Sequence, residues 1–270
     1  MKNRIRGRIF SISVGLVIVA GFAFQTQHSV ATATNPNAYQ EGAVLWYQTA
    51  GEARALYYQA YNLARLRLDQ MLDTLSSTVK PAVVVDIDET VLNNSPHQAK
   101  LIATGERFPE YWKEWVELAE ADPLPGSVSF LTYAASRGVA VFYVSNRDQN
   151  ELVPTMENLK NKGFPQVEAS HLLLKVKESG KEPRRKRIEE QYQILLLCGD
   201  NLNDFTDLFE RKPSEERNRV VDALQAEFGS RFIVLPNPMY GDWERAALGS
   251  LRGLTDGEIE TRRLKALKSF

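Results

Sequence analysis

The sequence predicts an α/β fold, a Rossmann-like parallel β-sheet with helices on both faces, and three observations lead there. Continuous apolar runs recur at 82–87, 139–145, 171–175, 193–198 and 231–235. Between them, at about 125–137, 154–162, 183–191 and 215–227, apolar residues fall at helical spacing. Runs that stay apolar instead of alternating with polar residues are buried on both sides, which is the texture of parallel strands joined by crossover helices. Composition agrees. Of 270 residues 43% are apolar and 25% charged, which excludes disordered and fibrous classes.

The chain begins MKNRIRGR, continues with an apolar run over 9–24, and then reaches Ala31-Thr32-Ala33 through polar residues. A basic start, an apolar stretch and small residues at a cleavage site make 1–33 a signal peptide and leave 34–270 as a single domain. The alternative is an uncleaved anchor, for which the run is short of the ~20 residues that cross a bilayer. No cysteine follows it to carry a thioether-linked lipid, so the mature protein is expected outside the cytoplasm without a stable membrane anchor. Cys198 is the only cysteine, which excludes an intrachain disulfide and any multi-cysteine metal site.

From 41 to 75 apolar residues recur at helical spacing with Gly51 as the interruption, so 34–80 reads as one or two amphipathic helices. Their aromatics (Trp46, Tyr47, Tyr57, Tyr58, Tyr61) read as core. The sheet begins after Lys80-Pro81 and the α/β core occupies 81–270. The stretch 92–123, with Phe108, Tyr111, Trp112 and Trp115, is too long for a strand-to-helix turn and reads as a helical flap over the strand ends.

Ligands of such sheets sit at the carboxyl ends of the strands, and there the chain places its acids. VVVDIDETVLNNSP (83–96) ends an apolar strand in Asp86 and Asp88, and LLLCGDNLNDF (195–205) ends another in Asp200 and Asp204. A lone pair of this kind is an acidic turn or a helix cap. Two such strand ends concentrate up to four negative charges, which calls for a hard cation, and oxygen ligands without histidine or cysteine point to Mg²⁺. YVSNR (143–147) offers Ser145 and the following N–H groups to a phosphoryl oxygen. Lys181, in ESGKEPRRKR (178–187), stands before a helix where its ammonium offsets phosphate charge; Lys175 is its rival.

In this order DIDET, YVSNR, a lysine and GDNLNDF resemble the haloacid dehalogenase superfamily. More narrowly, the chain is similar to the class C bacterial acid phosphatases, also in LWYQTAGEARALYYQAYNLA (45–64), WKEWV (112–116) and LPNPMYGDWE (235–244). The resemblance implies a haloacid dehalogenase-type sheet and hydrolysis of phosphomonoesters through an aspartyl-phosphate on Asp86, with Asp88 as acid and base. Asp86, Asp88 (through its carbonyl), Asp200 and Asp204 would hold Mg²⁺. Ser145, Asn146 and Lys181 would grip the phosphate, with Arg147 behind them; Tyr111, Trp112 and Trp115, with Phe108, are candidates to stack on the substrate, the alternative being that at least two of them pack the flap. Small phosphomonoesters, 5′-nucleotides among them, are the implied substrates; location is periplasmic or secreted, and a homo-oligomer is compatible with the sequence. His97 departs from the tyrosine that usually ends the family's first signature.

Four of the 33 basic residues (Lys2, Arg4, Arg6, Arg8) precede residue 9, so the remainder, with all 34 acids, is net acidic and not a nucleic-acid binder. Two other readings stand beside the hydrolase. A receiver-like phospho-acceptor stores phosphate, and Asp88 argues against it because it supplies an acid for turnover. An exported, non-catalytic binding module leaves the carboxylates unexplained.

Overall fold

The computed structural model describes residues 35–270, so the signal peptide expected over 1–33 lies outside the described residues. The chain enters through α1 (Glu41–Thr49) and α2 (Gly51–Leu72), separated by Ala50, whose extended backbone breaks the helix one residue before the expected glycine. Then come β1 (Pro81–Val85), β2 (Leu92–Asn93), α3 (Ser95–Thr104), α4 (Trp112–Leu118), β3 (Asp122–Pro123) and α5 (Ser127–Ser136). The second half runs β4 (Ala140–Asp148), α6 (Leu152–Asn161), β5 (Leu172–Lys175), α7 (Glu182–Glu189), β6 (Gln193–Gly199), α8 (Ser214–Ala223) and β7 (Phe232–Val234). The closing helices α9 (Asp242–Leu248) and α10 (Asp256–Ala266) were not anticipated from sequence.

Five parallel strands form the sheet in the order β5-β4-β1-β6-β7, which puts β1 at its centre. All five apolar runs are strands, and each face of the sheet is covered. Val83, Val85, Val141, Tyr143 and Leu196 pack with Tyr57, Tyr61 and Leu68 of α2 and Phe130 of α5 on one side. Ala82, Val84, Phe142, Val144 and Leu197 pack with Ile188 of α7 and Phe205 on the other. Alternate residues of one strand thus bury on opposite faces, and an uninterrupted apolar run is the only pattern that satisfies both.

The insert at 92–123 is closed at its base by the antiparallel pair β2 and β3, Leu92 opposite Pro123. It carries α3 and α4, and α3 packs on α1. Pro96 in the first turn of α3 and left-handed Gly105 after it delimit that helix. The expectation that the aromatics of 41–75 are all core needs one correction. Tyr47, Tyr57 and Tyr61 are buried, but Tyr58 lies about 100° round the helix from its neighbour and is exposed beneath Arg54. Among the described residues no helix is long and apolar enough to cross a membrane.

Candidate active site

The central strand and its neighbour deliver the carboxylates side by side. Val85 is in register with Cys198, and the Asp86 N–H donates to the Cys198 carbonyl at 3.0 Å, so Asp86 and Asp200 leave the sheet together. Asp204 joins them through a tight turn in which its carboxylate accepts from the Asn201 N–H at 2.9 Å. Glycine is required at 199 because a Cβ there would collide with the Asp204 side chain. Carboxylate oxygens of Asp86, Asp200 and Asp204 all lie within 4.8 Å of one another. Asn237 donates to Asp200 at 2.7 Å.

Lys181, at the head of α7, is buried and pairs with Asp86 and, at 2.6 Å, with Asp204. Lys175 stays within β5, away from this cluster. Burial pushes the Asp86 carboxyl up to about 7; Lys181 opposes the rise while Asp204 and Asp88 add to it. Burial, with Asp204 and Asp86 beside it, holds Asp200 well above the ordinary carboxylate range. For Lys181 burial pulls the other way, but Asp204 and Asp86 override it and keep the ammonium charged. Three clustered carboxylates therefore face one ammonium, and their oxygen-only chemistry fits a hard divalent cation as the missing charge.

Asp88 faces the same cavity, held from behind. Arg147 donates to its Oδ1 through Nε at 2.9 Å and Nη2 at 2.8 Å, Asn94 donates at 2.9 Å, and the Ser145 hydroxyl donates to Oδ2 at 3.1 Å. Arg147 is itself buried and fixed by Thr155 at 3.1 Å. Ser145 is thus engaged with Asp88 and with the Arg147 N–H, and is not on the cavity wall, where a phosphate grip was expected. Asn146 is on the wall, and Arg184 steadies it at 2.6 Å while donating to the Ser145 carbonyl at 2.5 Å. Arg185 donates to the Asp204 carbonyl at 2.8 Å. Sequence reasoning missed both arginines, which sit in a run that reads as a solvated charged face.

The loop after β1 is pinned from beneath by α2. Tyr57 donates to the Glu89 carbonyl and Tyr61 to the Thr90 carbonyl, each at 2.6 Å, and the Tyr47 and Tyr57 hydroxyls are paired. Glu89 is fully buried with a left-handed backbone, φ 57°; its carboxylate accepts from the Asn94 N–H at 2.7 Å and meets the Tyr240 hydroxyl. Burial, then Asp88 and Asp200, raises its pKa well above the usual value.

A cavity of about 680 Å³ opens over Asp86, Asp88, Asp200 and Lys181. Trp112 and Phe108 form an aromatic wall, braced by buried His97, whose ring meets Trp112 edge-on at 5.2 Å and whose Nε2 bonds the Glu110 carbonyl. The other two aromatics expected to meet substrate lie elsewhere. Tyr111 is off the wall with Lys100 over its ring, and Trp115 donates its indole N–H to Asn94 at 2.8 Å while packing on the core.

Comparison with known proteins gives a consistent picture. The model of HAD superfamily subfamily IIIB (acid phosphatase) matches residues 16–243, ending just inside α9. The class C acid phosphatase from Bacillus anthracis is 47% identical, with a TM-score of 0.84 over 87% of this chain and 99% of that one. The same enzyme with tungstate bound gives 46% and 0.83, over 88% and 99%. Among curated plant proteins, Stem 31 kDa glycoprotein of Glycine max is 29% identical over 164 residues, 58% of each chain. Acid phosphatase 1 of Solanum lycopersicum is 28% identical over 166 residues, 58% of this chain and 57% of that protein. This chain therefore spans less than two thirds of the length of these two plant relatives.

Proposed function

Since the chain belongs to the acid phosphatases of HAD superfamily subfamily IIIB, we propose that it is an exported, Mg²⁺-dependent phosphomonoesterase that accepts 5′-nucleotides. The observation that carries the reading is the pair at the end of β1. Asp86 lies in the cavity against Lys181, and Asp88, two residues on, lies on the same wall with Arg147 and Ser145 fixing its carboxylate. Tungstate is a tetrahedral oxyanion like phosphate, and its uptake by the Bacillus anthracis relative supports a phosphoester as ligand.

In the mechanism, Asp86 attacks phosphorus in line and the ester oxygen leaves with a proton from Asp88, giving an aspartyl-phosphate. Asp88 then takes a proton from the water that attacks phosphorus, and Asp86 and phosphate are released. Arg147 and Asn94 hold Asp88 by Oδ1, which leaves Oδ2, beside the Ser145 hydroxyl, to exchange the proton. Lys181 neutralises charge on the phosphoryl oxygens, with Asn146 beside it. Asp86, Asp200 and Asp204, with the Asp88 carbonyl, would hold the Mg²⁺; when bound it shields the carboxylates and screens the phosphate dianion. Trp112 and Phe108, on the cavity wall, would be the aromatic contacts for a base, a contact of ~1–3 kcal/mol per stacked base. Export rests on the basic-apolar-small pattern of 1–33.

The test is steady-state hydrolysis of an aryl phosphate and a nucleoside 5′-monophosphate, with chelator and with Mg²⁺ restored, for the native chain and Asp86→Asn. Activity should vanish with chelator, return with Mg²⁺, and be absent in the variant. Full activity of metal-stripped protein or of Asp86→Asn would refute the assignment. N-terminal sequencing of the mature protein should begin near Thr32 or Thr34; an intact Met1 would refute cleavage.

A further inference from the structure

Resting on the phosphatase reading, we propose that the C-terminal arm, Leu251 and the α10 helix, is the specificity wall of the cavity. It selects esters whose organic group carries a ring over small alkyl esters. The arm lies beyond the family match, which ends at residue 243. Leu251 and Ile259 line the cavity from the side of the arm, and Phe108 and Trp112 line it from the insert. Ile259 is 3% exposed, the one buried residue of a helix that is otherwise largely solvated, and it is among the residues that line the cavity.

Contacts of three arginines hold the arm in place, Arg262 of α10 donating to the Leu248 and Ser250 carbonyls. Arg107, between α3 and α4, pairs with Asp256 in the first turn of α10, tying the arm directly to the insert. Arg263 lies over the ring of Tyr39, 3.2 Å from its centroid, and pairs with Glu244 at 3.2 Å. The Thr255–Glu258 capping box fixes where α10 starts and hence where Ile259 falls. A cavity of about 680 Å³ exceeds what a phosphate with a short alkyl group fills and is of ligand-pocket size. With the phosphate at Asp86, a larger, flat organic group on it would reach both the aromatic wall and the arm, and that shared contact is what the arm adds to selection.

The experiment compares kcat/KM for a nucleoside 5′-monophosphate and for glycerol phosphate in the full chain and three variants. Leu251→Trp, at a half-buried position, and Ile259→Trp place bulk on the arm side of the cavity. Both should lower the nucleotide-to-glycerol-phosphate ratio by about tenfold or more. Asp256→Ala releases the latch and should raise KM for the nucleotide severalfold, more than it raises KM for glycerol phosphate. Leu251→Trp guards against misfolding of the Ile259 variant, since its own melting temperature should stay near that of the native chain. Equal changes for both esters, or no change in the ratio in Leu251→Trp and Asp256→Ala, would overturn the proposal. Failure of the unmodified chain to hydrolyse either ester would instead overturn the phosphatase reading, and this inference with it.

Discussion

The tyrosines of α2 should matter to the chemistry although they touch no substrate. Replacing Tyr57 by phenylalanine removes one oxygen, and the Glu89 and Pro236 carbonyls and the Tyr47 hydroxyl all lose a partner. Tyr57 and the backbone around Glu89 are buried, so water does not readily replace the missing hydroxyl. Each unpaired buried group costs about 1–3 kcal/mol, so Tyr57→Phe should lose about 3 kcal/mol. Tyr61→Phe strands only the Thr90 carbonyl and should lose about 1–2 kcal/mol. For a chain of this size each kcal/mol moves the melting temperature by about 2–4 °C, which puts the first variant roughly 6–12 °C below the native chain. Both hydroxyls hold consecutive residues of one loop, so the double variant should be non-additive by ~0.5 kcal/mol or more. Because that loop follows Asp86 and Asp88, kcat should fall along with stability. Urea unfolding and steady-state kinetics on the two single variants and the double variant measure all of this. Single variants within ~0.5 kcal/mol of the native chain, with unchanged kcat, would show that α2 does not hold the loop.

Three further outcomes are expected. Gly199→Ala should push Asp204 away and cost about 10²-fold in activity, with weaker Mg²⁺ activation; a near-native metal titration would contradict the packing at β6. Asp88→Asn should lose about 10²–10⁴-fold on poor leaving groups and accumulate phosphoenzyme on an aryl phosphate, which rapid-quench labelling detects; native rates on an alkyl phosphate would rule it out as the acid. Burial lowers the His97 pKa below 6.5 despite the Glu110 carbonyl, so the unfolded chain takes up a proton where the folded one does not. Stability should therefore fall as pH drops below about 6.5, and less steeply in His97→Gln; parallel denaturation midpoints for the two proteins from pH 7 to 5 would exclude the effect.

What could be read from the sequence divides along physical lines. The strands were legible because burial on both faces leaves an uninterrupted apolar run, and the carboxylates because each follows such a run directly. Arg184 and Arg185 were not legible. Charge pattern alone does not distinguish a solvated arginine from one turned inward to carbonyls of Ser145 and Asp204. The aromatics of the insert share the problem: Trp112 and Trp115 lie one helical turn apart, yet one borders the cavity and the other bonds Asn94. The arm escaped because its only buried apolar residue within α10, Ile259, gives no periodicity to detect. Ser145 was legible as a strand-end hydroxyl, but which partner takes it depends on where Arg147 places Asp88.

The central place of β1 also sets the order in which the molecule can acquire its activity. Val85 must find Cys198, far along the chain, before Asp86 and Asp200 stand together, and Val84 must find Phe142 before Asp88 meets Ser145 and Arg147. Pairings so distant are slow to form, because the entropy of closing the intervening chain comes before any contact rewards it. Helices formed from local contacts will appear first on refolding, and catalytic turnover will return last. In that interval the apolar strands lie open to other chains, so the yield of active protein should fall as its concentration rises.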